Sequence, residues 1–181
     1  MQKYNSKADT QKHIEKVQDN ITLINNELIY RSAHHDKSKM QTPEVEIFDE
    51  VTPKLNGLTY GSDEYNAQMA QMGEALKHHY VSNSHHPEHY QNGINDMTLV
   101  DLIEMFCDWC AATERHADGD IFKSIEHNRN RFGMGETLAN ILRNTATEYN
   151  MGRRQPAGRT RSTPPSPLGQ PTCRRAGLSR E

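Results

Sequence analysis

Residues 9–31 read DTQKHIEKVQDNITLINNELIYR, and the periodicity of this stretch decides the fold class. Its apolar residues fall at Ile14, Val17, Ile21, Ile24 and Leu28, in steps of 3, 4, 3 and 4. Side chains three or four residues apart share one face of an α-helix, so the stretch is one amphipathic helix running to about Arg31. Asp9 and Thr10 suit its start, because short polar side chains accept hydrogen bonds from the first free amides of a helix. Outward from it the same pattern recurs. Thr42-Pro43-Glu44 opens a short apolar group, Val45, Ile47 and Phe48, and Pro53, Gly57 and Gly61 break the chain beyond it. Ser62-Asp63 caps a helix through Met69, Met72 and Leu76 to the paired histidines, and Pro87, Asn92 and Gly93 mark a loop. Thr98 opens a helix through Leu102, Phe106 and Cys110. Gly119-Asp120 opens another through Ile121 and Ile125, which Gly133 and Gly135 end. A last helix runs from about Glu136 to Tyr149. No segment alternates with a period of two. The expectation is an all-α fold, a single helical bundle over residues 1–150.

Only 34% of the 181 residues are hydrophobic, so the core must be economical and the helices two-faced. The net charge of −3 is unevenly spread. Residues 151–181 hold seven arginines, one acid and five of the eight prolines, a charge of +6 that leaves −9 for residues 1–150. Such a Pro/Arg-rich segment without periodicity cannot bury a core and reads as a disordered basic tail. The acidic body argues against a nucleic-acid-coating protein. No apolar run is long enough to span a bilayer, no secretory signal is apparent, and three cysteines suit a reducing cytoplasm, or host cytoplasm if the chain is phage-encoded. The sequence leaves self-association open.

The chemistry centres on His35-Asp36. An adjacent imidazole and carboxylate offer a divalent metal one nitrogen and one oxygen. Further donors lie at His13, among five histidines between 78 and 89, and at Asp108. A mixed His/Asp set suits a metal that binds water or phosphate and polarises it, and a metal-bound water can have its pKa lowered to about 7. His13 comes 22 residues before His35, a spacing that a helix, a turn and a return would close. His78 and His85, like His79 and His86, are seven apart and would share a face if helix continued through Ser84. Asp108 shares a helix face with Asp101 and Glu104, a pattern usual for a solvent-facing side. Cys107 and Cys110 form a CxxC in mid-helix, read as two small core residues flanking Asp108.

The order His, His-Asp, further histidines, Asp resembles the HD superfamily of metal-dependent phosphohydrolases. His35-Asp36-Lys37-Ser38-Lys39 looks like the HDxGK motif of HD-GYP phosphodiesterases, with Ser38 where those have Gly. His85-His86-Pro87-Glu88-His89-Tyr90-Gln91-Asn92-Gly93 is similar to their HHE-then-Gly loop, and Leu102 to Arg115 resembles the helix carrying their final Asp. The GYP signature is absent. The same motifs also resemble an uncharacterised family common in phages and bacteria. The resemblance covers about residues 10–130. It implies an HD-type helical domain binding one or two divalent ions (Mn, Fe, Co, Ni, Zn or Mg). His13, His35, Asp36 and Asp108 would form the core metal set, with His79 and His86 for a second ion, the choice within each pair, His78 or His79 and His85 or His86, staying open. Lys39 and Arg115 would contact a phosphate, and His78, His85 or His89 would protonate the leaving oxygen. The implied activity is hydrolysis of a phosphomonoester or phosphodiester of nucleotide type; an HD-fold di-iron oxygenase or a non-enzymatic metal-binding module are the alternatives.

Overall fold

The computed structural model of the chain describes residues 6–55, 58, 62–115 and 119–152. Among them are seven α-helices and three short 3-10 turns, with no strand, so the fold is all-α as expected. The body continues two residues past the expected boundary: Met151 packs on the core and Gly152 is buried. The predicted disordered tail, from 153 onward, lies outside the described residues.

Helix α1 (Ser6–His34) carries the opening stripe. Gln11–Glu15 and Glu27–Arg31 contacts at i,i+4 support it along its length. It ends where Asp36 takes a left-handed conformation, φ 54°, which Asp tolerates better than most residues because its short side chain can bond locally. A 3-10 turn (Lys37–Met40) follows, then α2 (Glu44–Leu55), which runs through Pro53 rather than stopping before it. The Ser62 hydroxyl accepts from the Tyr65 amide and caps α3 (Asp63–Gln71). The expected single helix on to the paired histidines breaks at Met72, before Gly73, and resumes as α4 (Gly73–Ser82). Glycine is poor inside a helix because it loses the most backbone freedom on ordering.

Helix α5 (Leu99–Glu114) opens with a capping box: Thr98 accepts from the Asp101 amide and the Asp101 carboxylate accepts from the Thr98 amide. Asp120 caps α6 (Ile121–Phe132), Gly133 closes it at φ 62°, and α7 (Glu136–Glu148) returns against α6. The core lies between α5, α6 and α7, where Phe106, Cys110, Ile121, Ile125, Met134, Ala139, Leu142 and Ala146 pack together. Ile121 and Ile125 are fully buried, and truncating either to alanine costs about 2–5 kcal/mol. Cys107 does not join this core; it is exposed, and only Cys110 fills a core position. A second layer sets α2 against α4, and among the described residues α1 meets the body through its last turns, on α5 and at Ser84.

Candidate metal centre

One buried carboxylate ties the elements around the site together. Asp101 is 1% exposed, not on a solvent-facing side. It accepts from the Arg31 guanidinium (2.6 Å), the Ser84 hydroxyl (2.8 Å), the Tyr90 hydroxyl (2.8 Å), and the Thr98 amide (2.8 Å) and hydroxyl (2.6 Å). Arg31 also donates to Glu104 Oε2 at 3.1 Å. The end of α1, the start of α5 and the 83–90 loop therefore meet at one charge network. Burial would raise the Asp101 and Glu104 carboxyls, but hydrogen bonds outweigh it and hold both well below the usual carboxylate range.

Beside that network six donor side chains converge. His35 and Asp36 arrive from the turn after α1. His79 comes from α4, His85 and His86 from the loop after it, and Asp108 from α5. The helix ends at Ser82, so His79 and His86 meet across a turn rather than along one helix face. Their Nε2 atoms are 2.8 Å apart. Asp36 Oδ1 lies 3.4 Å from His79 Nε2 and 3.5 Å from His85 Nε2. Asp36 Oδ2 lies 3.5 Å from His35 Nε2, which is 3.7 Å from Asp108 Oδ1. Donors about 2.1 Å from one ion stand about 3.0 Å apart at right angles and about 3.4 Å apart at the tetrahedral angle, so these separations suit a shared cation. With Glu104 the donors fall into three overlapping sets, Asp36 with His79, His85 and His86, Asp36 with His35 and Asp108, and His35 with His85 and Glu104, and the Asp36 carboxylate belongs to the first two.

Two atoms test the fit of a metal directly. Asp36 Oδ1 and His85 Nε2 are buried and have no hydrogen-bond partner. An unpaired buried polar atom costs about 1–3 kcal/mol, and here two stand 3.5 Å apart. A cation between them satisfies both.

The far sides of the imidazoles are held in the way metal ligands are. Glu44, fully buried at the start of α2, accepts from His79 Nδ1 at 2.9 Å. Glu104 Oε1 accepts from His35 Nδ1 at 2.9 Å and lies 3.3 Å from His85 Nδ1. A carboxylate on Nδ1 keeps the proton there and turns the Nε2 lone pair inward. Burial, then the neighbouring His85 and His79, push His86 down to about 3, so it is a neutral donor; burial likewise lowers His79. Asp108 and Glu104 push His35 up to about 10. This corner of the protein is negative and favours a cation.

Not every predicted residue arrives. His13 sits in mid-α1, exposed; the helix runs straight, so 22 residues of rise put His13 about 33 Å from His35 along its axis. The expected turn and return do not exist. His89 is exposed and bonds to the Tyr80 carbonyl at 2.9 Å. His78 bonds to Glu44 Oε1 at 2.6 Å, away from the donor cluster. His85, expected as a proton donor, stands among the ligands, 2% exposed. Lys39 donates to Asp36 Oδ2 at 2.6 Å. Arg115 lines a cavity of about 390 Å³ with Lys39, His79 and His86. A second cavity, about 460 Å³, runs from His86 and Asp108 to Trp109, Lys123, His127 and Arg131. Sequence reasoning missed Arg31, Glu44 and Glu104. Only Glu104 left a trace, a charge on the same helix face as Asp108.

A family model described as a family of unknown function (DUF5662) matches residues 2–148. The chain belongs to DUF5662. No curated protein and no solved structure matches it. For this DUF5662 member, no helix among the described residues is long and apolar enough to cross a membrane.

Proposed function

We propose that the protein is a metal-dependent phosphohydrolase of HD type, acting on a phosphomonoester or phosphodiester of a nucleotide-like substrate. The observation that carries this reading is the facing pair of partnerless buried atoms, Asp36 Oδ1 and His85 Nε2, inside a cage of inward-turned imidazoles. His35, Asp36, His79, His85, His86 and Asp108 would hold one or two divalent ions. When bound, such an ion polarises a phosphoryl oxygen and lowers the pKa of water.

The chain's own groups support a phosphate at this place. Lys39 and Arg115 line the smaller cavity beside the cluster, and Lys123 and Arg131 line the larger, so cations flank the donors on both sides. Lys39 acts as a point charge on the transferred phosphoryl group, and a preorganised charge of this kind stabilises the transition state most where water is excluded. His127, which shares the larger cavity with His86, Asp108, Lys123 and Arg131, takes the proton-donor role. The test is phosphate release by full-length protein reconstituted with Mn, Fe, Co, Ni, Zn or Mg across a panel of mononucleotides and phosphodiesters. Release that Asp36→Ala abolishes supports the reading; no release with any ion refutes it.

The two-faced Asp36 carboxylate also favours a second reading, a di-iron oxygenase, because a bridging carboxylate serves paired irons equally well. Two bound irons with oxygen consumption, and no phosphate release with redox-inert ions, would select it.

A further inference from the structure

The apolar stripe that opened the sequence is almost entirely unpartnered. Every residue of α1 from Ser6 to Glu27 is exposed. Ile14, Val17, Ile21 and Ile24 stand 40–62% exposed along it, and Leu23 72%. Most of a helix's stability in a protein comes from packing its amphipathic face, which this one, before its last turns, does not do against the described residues of the chain. Residues 20–26, Asn-Ile-Thr-Leu-Ile-Asn-Asn, make it weaker still, since Asn, Thr and Ile are poorer helix formers than Ala, Leu or Glu. A helix of this composition holds its shape by packing.

We propose that α1 packs against α1 of a second copy of this chain as a two-stranded coiled coil. The stripe alternates steps of three and four, an average of 3.5, which is the spacing of a coiled-coil seam rather than of a helix lying on a broad core. The seam also continues an existing interface. Leu28, Arg31 and His35 extend the same alternation and line the apolar cavity between α1 and α5, together with Ile103, itself 43% exposed. Ile24, Ile21, Val17 and Ile14 are the same face carried beyond the reach of α5.

The flanks of the seam select the partner. Gln11, Gln18, Asn20 and Asn25 border the seam as neutral side chains, His13 is the remaining flank toward the N-terminal end, and Glu27, the one acid on a flank, is paired with Arg31 of its own helix at 3.1 Å. Like charges at these positions would set two identical helices against each other, whereas neutral amides let a copy pair with itself. Residues 153–181 of the same chain do not suit the seam, because their only large aliphatic residues are Leu168 and Leu178.

Sedimentation equilibrium of the full chain tests this. The expected mass is twice the 20.7 kDa of one chain. Ile21→Asp with Ile24→Asp weakens association at least ~100-fold, because each copy would bury two unpaired charges, and it lowers the helical circular dichroism signal as α1 frays. Asn26→Asp, on the far side of the helix, leaves the dimer intact. Both altered isoleucines are exposed in the single chain, so the thermal melt of the body stays in place. A wild-type mass of 20.7 kDa at the highest soluble concentration overturns the proposal, and so does a double variant that remains dimeric.

Discussion

Asp36→Asn separates a metal ligand from a structural anchor. In chelated protein the change removes a partly exposed ion pair with Lys39, 2.6 Å long, worth at most about 1 kcal/mol. It also replaces an orphan acceptor, Asp36 Oδ1, with an amide that can turn a donor toward His85 Nε2, 3.5 Å away. Satisfying that pair returns about 1 kcal/mol or more. Asn tolerates the left-handed conformation at φ 54° at least as well as Asp. The stability of the chelated variant therefore stays within about 1 kcal/mol of wild type. The loaded protein behaves differently. An ion at a thousand times its Kd stabilises the native state by about 4 kcal/mol; a hundredfold loss of affinity cuts this to about 1.4 kcal/mol at the same concentration. Urea unfolding with chelator and with Mn(II), together with calorimetric titration, reads both quantities. If Asp36→Asn costs more than about 2 kcal/mol under chelator, or if the metal-induced gain is unchanged, the carboxylate is not a ligand and the centre is misread.

Glu104→Gln loosens the His35 and His85 rings without removing a donor from the cluster, and metal affinity falls about 10–100-fold in the same titration. Asp101→Asn removes one of the three carboxylates around the part-buried Arg31 and weakens the hydrogen bonds that converge on the buried Asp101, lowering the unfolding free energy by about 1–3 kcal/mol in urea. The folded Asp101 and Glu104 carboxyls lie below their unfolded values of about 3.9 and 4.3, so the stability they contribute is complete above about pH 5 and drains as pH falls below about 4; urea midpoints from pH 7 to pH 3 should show this, with a shallower fall in Asp101→Asn. Gly152→Ala puts a Cβ 2.5 Å from the buried Ile121 Cβ at a φ of 62° and lowers stability by about 2–3 kcal/mol, read as a drop in melting temperature.

Periodicity carried the fold. The stripe of α1, the cap at Ser62 and the capping box at Thr98 are local signals, and each appears where its chemistry places it. His35-Asp36 and the His85-His86 pair were legible because adjacent donors are rare by chance, and Asp108 because it completed their order. His13 misled, since a distance along the chain says nothing about whether a helix turns back. Asp101 and Glu104 misled in the opposite sense: three acids on one face read as solvated, and only the fold reveals the Arg31 guanidinium and the imidazoles opposite them. Glu44 left no signal at all, because a first-turn glutamate is ordinary until α4 lays two histidines on it.

The supporting carboxylates distinguish this centre from a crowd of solvated histidines. Imidazoles drawn together by a loop need no particular orientation, and exposed rings hydrogen-bond to water through either nitrogen. Here Glu44 and Glu104 accept from Nδ1 of His79 and His35, Glu104 Oε1 reaches toward that of His85, and all three rings turn Nε2 toward Asp36 or Asp108. Glu44, Asp101 and Glu104 are buried or nearly so, and Asp36 and Asp108 add two more negative charges, against three cations, Arg31, Lys39 and the raised His35. Burying that excess is expensive unless a cation compensates it. A divalent ion held by Asp36 and His85 would supply that charge where the geometry leaves Asp36 Oδ1 and His85 Nε2 without partners.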